Sequence, residues 1–274
     1  MTEELDWKEL SIKIEDLLRL RTFVLGFNFL KKENIKKISN VHYPRHRSLI
    51  CQLITTARIK GLIMGCTEDN LIIPNCGSIF GLNEVHESIR SGSMFHNVWF
   101  KDIEDCQTFS AQMVRIPSGK HQALLISPLN KIPMKPDIVA VYGNPAQINL
   151  LVNGFGWKSY KRMKFYHIGE SSCSDGVPNC YMTGELSVAL PCFGERRFAG
   201  VMDDEILAAM QPKDLPKIID GLEELKKRMI KYPIPLHGIS ESPLKGLPKQ
   251  YLKISDAFIR DGKQNESNLR DSGN

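Results

Sequence analysis

Gly184–Met210 reads GELSVALPCFGERRFAGVMDDEILAAM, and the fold turns on how it is divided. Leu186 to Leu190 is a short apolar run of strand composition, ended by Pro191 and Gly194. Asp203, Asp204 and Glu205 then precede a second apolar run, Ile206 to Met210. Carboxylates ahead of an apolar run suit a helix start. Asp203 reads as the N-cap, with Asp204 and Glu205 on a first turn where the helix dipole favours anions. The stretch is therefore expected to be a strand-to-helix connection. It gathers the Cys192 thiol, the Arg196 and Arg197 guanidinium groups and a helix N-terminus. Loops of this kind tend to carry sites. The bland alternative is a strand edge with solvated arginines and an ordinary cap.

Working outward, DIVAVYG (137–143) is a nearly continuous apolar run, as a buried strand should be. It leads through Asn144-Pro145-Ala146-Gln147 into a helix ending near Phe155, and HQALLISPL (121–129) is a strand before it. KFYHIG (164–169) is a further strand candidate, followed by a polar loop with Cys173 and Asp175. Nearer the start, residues 3–20 have helical spacing, 22–30 and 62–66 read as strands, and 48–59 as a helix closed by Lys60-Gly61. Residues 84–112 look helical but interrupted. Beyond the opening stretch, 215–231 is a helix with charges on one face, and 252–259 is a last one. The order helix, strand, polar turn, Cys76 in the first half echoes helix 147–155, strand 164–169, polar loop, Cys173 in the second. A duplicated α/β unit with a cleft between its halves follows as a hypothesis.

The 274 residues, 42% hydrophobic and 24% charged, are ordinary for a globular protein. They suit one α+β or α/β domain over 1–255, with halves 1–113 and 114–255, and a polar, disordered tail at 260–274. The net charge of +5 is spread rather than gathered into tracts. It permits a small anionic ligand and gives little support to nucleic-acid binding. No apolar run approaches the roughly 18 residues of a membrane helix. The opening MTEELDWKEL lacks the basic and apolar regions of a signal peptide, so a cytoplasmic protein is expected. Seven cysteines, an odd number, argue against a disulfide framework in such a chain.

No C-x-x-C pair, dinucleotide-binding glycine motif, P-loop or G-x-S-x-G elbow is present. The cysteines at 51, 66, 76, 173, 180 and 192 stand at irregular spacings. They could gather around a soft metal or an iron–sulfur cluster, which thiolates favour. One could be a nucleophile activated by Arg196 or Arg197. They could equally be small buried hydrophobes, Cys66 above all. Cys76, Cys173 and Cys192 lie at loop boundaries and are the better candidates.

The segments LLRLRTFVLGFNFL (17–30), LICQLITTARIKGL (49–62), TEDNLIIPNCG (67–77), DIVAVYGNPAQINLL (137–151), SSCSDGV (171–177) and LPCFGERRFAGVMDDEI (190–206) occur in this order. The pattern resembles the ArCR family, a domain of unknown function numbered 169, over about residues 15–255. Members are typical of anaerobic bacteria and archaea. Cys51-Gln52, Cys76, Asn144 with Ala146 and Gln147, Pro191-Cys192 with Gly194, and Asp203-Asp204-Glu205 match its blocks. Glu195 stands where Asp is usual, and Val24 where proline is common. The resemblance implies candidate residues but no reaction.

A cleft lined by Arg21, Cys51, Cys76, Asn144, Gln147, Cys173, Cys192, Arg196 and Arg197 is thus expected. One reading is an oxygen-independent enzyme for a small anionic or aromatic compound. Arg21, Asn144, Gln147 and Arg197 would hold the ligand, Cys192 or Cys76 would attack or donate a proton, and Glu205 would be the acid or base. A second reading is a metal or iron–sulfur protein using Cys51, Cys76, Cys173 and Cys192. A third is a non-catalytic small-ligand-binding or accessory protein. Oligomeric state is left open.

Overall fold

The computed structural model of the chain describes residues 5–271, with side chains through residue 260 except Lys245. Helix α1 (Trp7–Leu18) is followed by β1 (Leu25–Leu30), α2 (Lys32–Ile35), β2 (Val41–His42), α3 (Ile50–Lys60) and β3 (Ile63–Thr67). Then come α4 (Pro74–Ile79), α5 (Glu87–Arg90), α6 (Ile103–Gln112), β4 (Ala123–Pro128) and β5 (Ile138–Gly143). The remainder is α7 (Pro145–Gly156), α8 (Val177–Thr183), β6 (Ser187–Ala189), α9 (Phe193–Ala199), β7 (Ile206–Met210), α10 (Leu215–Lys227) and α11 (Lys249–Asp271).

The strands form one mixed sheet in the order β2-β3-β4-β1-β5-β7-β6. Only β2 and β3 pair in parallel among the described strands; the other neighbours are antiparallel. Alternation along the strands splits the core in two. Leu25, Phe27, Ile138, Ala140 and Tyr142 face a layer that includes α3 and α8, whereas Val139 and Val141 face α1, α7 and α10. The architecture is therefore mixed α and β with helices on both sheet faces. Among the described residues no helix is long and apolar enough to cross a membrane.

Local chemistry explains most boundaries. The Asp6 carboxylate accepts from the backbone N–H groups of Lys8 and Glu9 and starts α1. Asn144 and Gln147 close a reciprocal box at the start of α7, with Pro145 at its first position. Gly61 ends α3 at φ +66°, a conformation that glycine adopts without a Cβ penalty.

Two expectations are corrected. Ile206–Met210 is a strand, not a helix, and Asp203 caps nothing. All five residues are apolar and four are buried, because β7 lies between β5 and β6 with core on both faces. The helix of that region is instead α9, in the segment expected to be loop, closed by Gly200 at φ +67°. Residues 164–169 form no strand, and Phe165 and Tyr166 are exposed there. The proposed pairing of Cys76 with Cys173 across a duplication goes with it. Strand order does repeat outward from the centre, β1-β4-β3 on one side and β5-β7-β6 on the other. In that order the counterpart of Cys76 in α4 is Cys192 at the head of α9. The helix layers do not repeat, since α3 and α7 pack on opposite faces. Helix α11 runs to Asp271, and residues 272–274 lie outside the described residues.

One buried ion pair crosses this architecture. Arg58 of α3 donates from Nη1 and Nη2 to both oxygens of Glu205, at 2.7 and 2.8 Å. The two side chains are 1% and 3% exposed, and the guanidinium carbon sits 4.4 Å from the Tyr142 ring centroid. Burial opposes ionisation of Glu205, but hydrogen bonds from Arg58 and Met202 N hold it below its ordinary value. Arg58→Ala should cost about 3–5 kcal/mol in urea unfolding, because Glu205 is left buried and unpaired. Replacing both partners with apolar residues should cost much less. A carboxylate with a depressed folded pKa stabilises above its unfolded pKa, and loses that contribution as pH falls through the folded one. The wild type should therefore lose stability on acidification below about pH 4.3 more steeply than the doubly apolar variant.

Candidate functional site

A cavity of about 350 Å³ opens on the α3 side of the sheet. Its walls come from the starts of α3, α4 and α9 and from segments 94–99 and 170–173. It thus takes residues from both halves of the chain. Cys51 of α3, Cys76 of α4, Cys173 in the turn Ser172–Asp175, and Cys192 immediately before α9 all line it. The four cysteines grouped from irregular spacings thus meet at one place, and all seven in the chain are free thiols. Cys66, Cys106 and Cys180 are buried in the core, as the packing reading expected for Cys66.

The helix start at Cys192 carries the decisive geometry. Glu195 folds back so that its Oε2 accepts from Cys192 N at 3.0 Å. The side chain is 2% exposed, and its Oε1 has no hydrogen-bond partner. Asn75, also in the lining and 4% exposed, donates from Nδ2 to Ser171 Oγ at 3.0 Å, and its Oδ1 also lacks a partner. Glu170 contributes a second carboxylate, close enough for a hydrogen bond with the Cys192 side chain. Phe80, Phe95, Trp99, Phe193 and Phe198 supply aromatic wall, with Trp99 and Phe193 edge to face at 5.8 Å. No lysine, arginine or histidine lines it.

Electrostatics follow from that lining. Burial pushes Cys192 up to about 12, helped by the Glu195 and Glu170 carboxylates. Burial moves Cys76 up to about 11 and lifts Cys51 and Cys173 further. The acids move the same way: burial raises Glu195, with Glu170 adding to it, and raises Glu170 itself. These are thiols that burial keeps from ionising, beside carboxyl groups whose pKa is raised as well, and not thiolates activated by arginine.

The uncharacterised ArCR family, domain of unknown function 169, matches residues 13–221. The chain belongs to the ArCR family. The uncharacterised protein MJ0308 of Methanocaldococcus jannaschii is 23% identical over 181 residues, which cover 65% of this chain and 77% of the relative. No solved structure matches. The ArCR match includes every wall of the cavity and ends before α11.

The remaining site candidates lie elsewhere. Arg21 is at the surface, where its Nη2 donates to both oxygens of Asp204 at 2.7 and 2.8 Å. Asn144 caps α7 and donates to the Tyr232 hydroxyl; Gln147, buried, donates to the Leu18 and Arg19 carbonyls. Neither lines the cavity. Arg196 donates to the Pro191 and Met202 carbonyls and so braces the loop after α9, rather than meeting a carboxylate. Arg197 is exposed on α9 and does not reach the cavity. Glu205 is locked to Arg58 and is not free for acid–base work. Glu195, Glu170, Asn75 and Trp99 were missed. A sequence signal existed for Glu195 alone, three residues after a helix-starting position.

Two outcomes follow. Cys76, pushed up to about 11, is roughly a thousandth thiolate at pH 8, against about a quarter for a free cysteine. Iodoacetamide labelling of the native protein, read by mass spectrometry, should therefore be hundreds of times slower at Cys76 than in the urea-unfolded chain. It should also rise tenfold per pH unit. Glu195 has the opposite sign from Glu205. A carboxyl whose folded pKa is raised binds its proton longer in the folded state, so stability falls as pH climbs from its ordinary 4.5 toward the folded value. Glu195→Gln should remove that loss and unfold at higher urea than wild type at neutral pH.

Proposed function

We propose that the cavity binds a small compound with an aromatic or aliphatic body, and that any chemistry done there is proton transfer that needs no oxygen. The observation that supports this is the lining: aromatic and aliphatic side chains make up most of it, with a small polar set of Glu195, Glu170, Asn75, Ser171 and the thiols. A volume of about 350 Å³ lies within the range of small-ligand sites. The aromatic half of the expected substrate class is kept. The anionic half loses its support, because the arginines assigned to hold an acid lie outside the cavity and two carboxyl groups lie within it. Glu195 takes over from Glu205 as the candidate acid or base. Cys76 and Cys192 become proton donors rather than nucleophiles.

The convergence of four thiols favours a second reading, a soft metal or an iron–sulfur cluster held by Cys51, Cys76, Cys173 and Cys192. As the side chains stand, no group of three His, Cys, Asp or Glu among the described residues could hold an ion. A cluster would require the thiols to lose their protons and close in. Protein purified without oxygen separates the readings: stoichiometric iron with visible absorption supports the cluster, and a colourless protein that binds organic probes supports the first.

Gly194 offers a direct test of the small-compound reading. A Cβ there would meet only ordinary contacts, Cys192 Sγ at 3.6 Å and Glu170 Oε1 at 3.7 Å. Gly194→Leu should fold, place its side chain at the cavity wall and abolish the heat of binding phenethyl alcohol in calorimetric titration. Undiminished binding would put the ligand site elsewhere.

A further inference from the structure

Two buried oxygen atoms of cavity-lining residues lack a well-formed hydrogen bond: Asn75 Oδ1, and Glu195 Oε1, whose carboxyl group has only the Cys192 N–H and its weakly donating thiol beside it. Buried acceptors are rarely left open in folded proteins, and two in the wall of one cavity call for a common partner. The neighbouring groups are already used. Glu195 Oε2 takes the Cys192 N–H at 3.0 Å, and Asn75 Nδ2 is given to Ser171 Oγ at 3.0 Å. The four thiols are weak donors, and no lysine, arginine or histidine lines the cavity. The missing partner must therefore bring several donors of its own.

Charge chemistry points the same way. Glu170 and Glu195 line the cavity and no lysine, arginine or histidine does, so a ligand's acid finds no cation in the wall while an amine finds a carboxyl group to take its charge. The wall also holds aromatic rings, Trp99 and Phe193 among them, a residue type whose face attracts a cation. An ammonium group carries three donors and a positive charge.

We propose that the compound taken by this cavity is a small amine with an aromatic or aliphatic body, its ammonium group donating to Glu195 Oε1 and Asn75 Oδ1. This rests on the small-compound reading above. The proton balance is explicit. The ammonium ion enters with its proton, the Glu195 carboxyl gives up its own, and that proton passes to the solvent. The bound state is an ammonium–carboxylate pair.

The test is calorimetric titration of the full chain with three probes of one size: phenethylamine, phenethyl alcohol and phenylacetate. The amine should bind at least tenfold more tightly than the alcohol, and phenylacetate should not bind. At mildly acidic pH the amine's heat should change with the ionisation enthalpy of the buffer, showing proton release, and the alcohol's should not. Glu195→Gln, shown to be folded by its melting curve, should reduce the amine to the level of the alcohol and leave the alcohol unchanged. Equal binding of amine and alcohol, without proton release, would overturn the amine class while the small-compound reading stood; water would then satisfy Glu195. Binding of none of the three would remove both. Should Glu195→Gln not fold, proton release in the wild type still decides.

Discussion

The Arg58–Glu205 pair is the contact on which the cavity depends. Arg58 belongs to α3, which forms one wall; Glu205 is the last residue before β7. Glu205 also accepts from Met202 N at 2.9 Å, and Arg196 holds the Met202 carbonyl, so the loop between α9 and β7 is tied to α3 through Glu205 and to α9 through Met202. Gln52 adds a direct link, donating to the Phe198 carbonyl at 3.3 Å. Two ions this deeply buried lose their hydration and persist only because each satisfies the other with two hydrogen bonds. Their worth lies less in net stability than in the one relative placement of α3 and α9 that they permit. That placement sets Cys51 and Cys192 on the same cavity.

The electrostatic character of the site follows from using the cations elsewhere. Arg58 is consumed in the core, Arg21 by Asp204, and Arg196 by two carbonyls. What is left around the cavity is acidic and soft: two carboxyl groups and four thiols among aromatic rings. Low polarity favours the neutral form of every one of them, and each carboxyl group raises its neighbours further. A site of this kind suits a partner that supplies positive charge or hydrogen-bond donors. It does not suit an acid.

Much of the fold was legible because its signals are local. Asn144-Pro145-Ala146-Gln147 announces a helix start by its own hydrogen bonds, and Gly61 announces a stop by its conformational freedom. DIVAVYG is too uniformly apolar to be anything but buried. Ile206–Met210 misled because five apolar residues after three carboxylates fit a capped helix as well as a central strand. The strands on either side decide between them, and one of those, β5, lies more than sixty residues away in sequence. KFYHIG misled for the complementary reason: it has strand composition but pairs with none of the seven strands of the sheet.

The sequence by itself determined the mixed α and β class, most helix boundaries and the family, and it singled out four cysteines as candidates. It determined these because capping, periodicity and motif order act over a few residues or are preserved along the chain. Only the tertiary structure decided what surrounds those cysteines. Arg196 and Arg197 are four and five residues from Cys192 in sequence yet point away from it, because α9 is a helix and not an extended loop. Glu170, Asn75 and Trp99 reach the same cavity from distant segments. Whether a thiol faces a guanidinium or a carboxyl group is a matter of a few ångströms across separate elements. Burial and long-range pairing set that distance, and spacing along the chain carries no record of it.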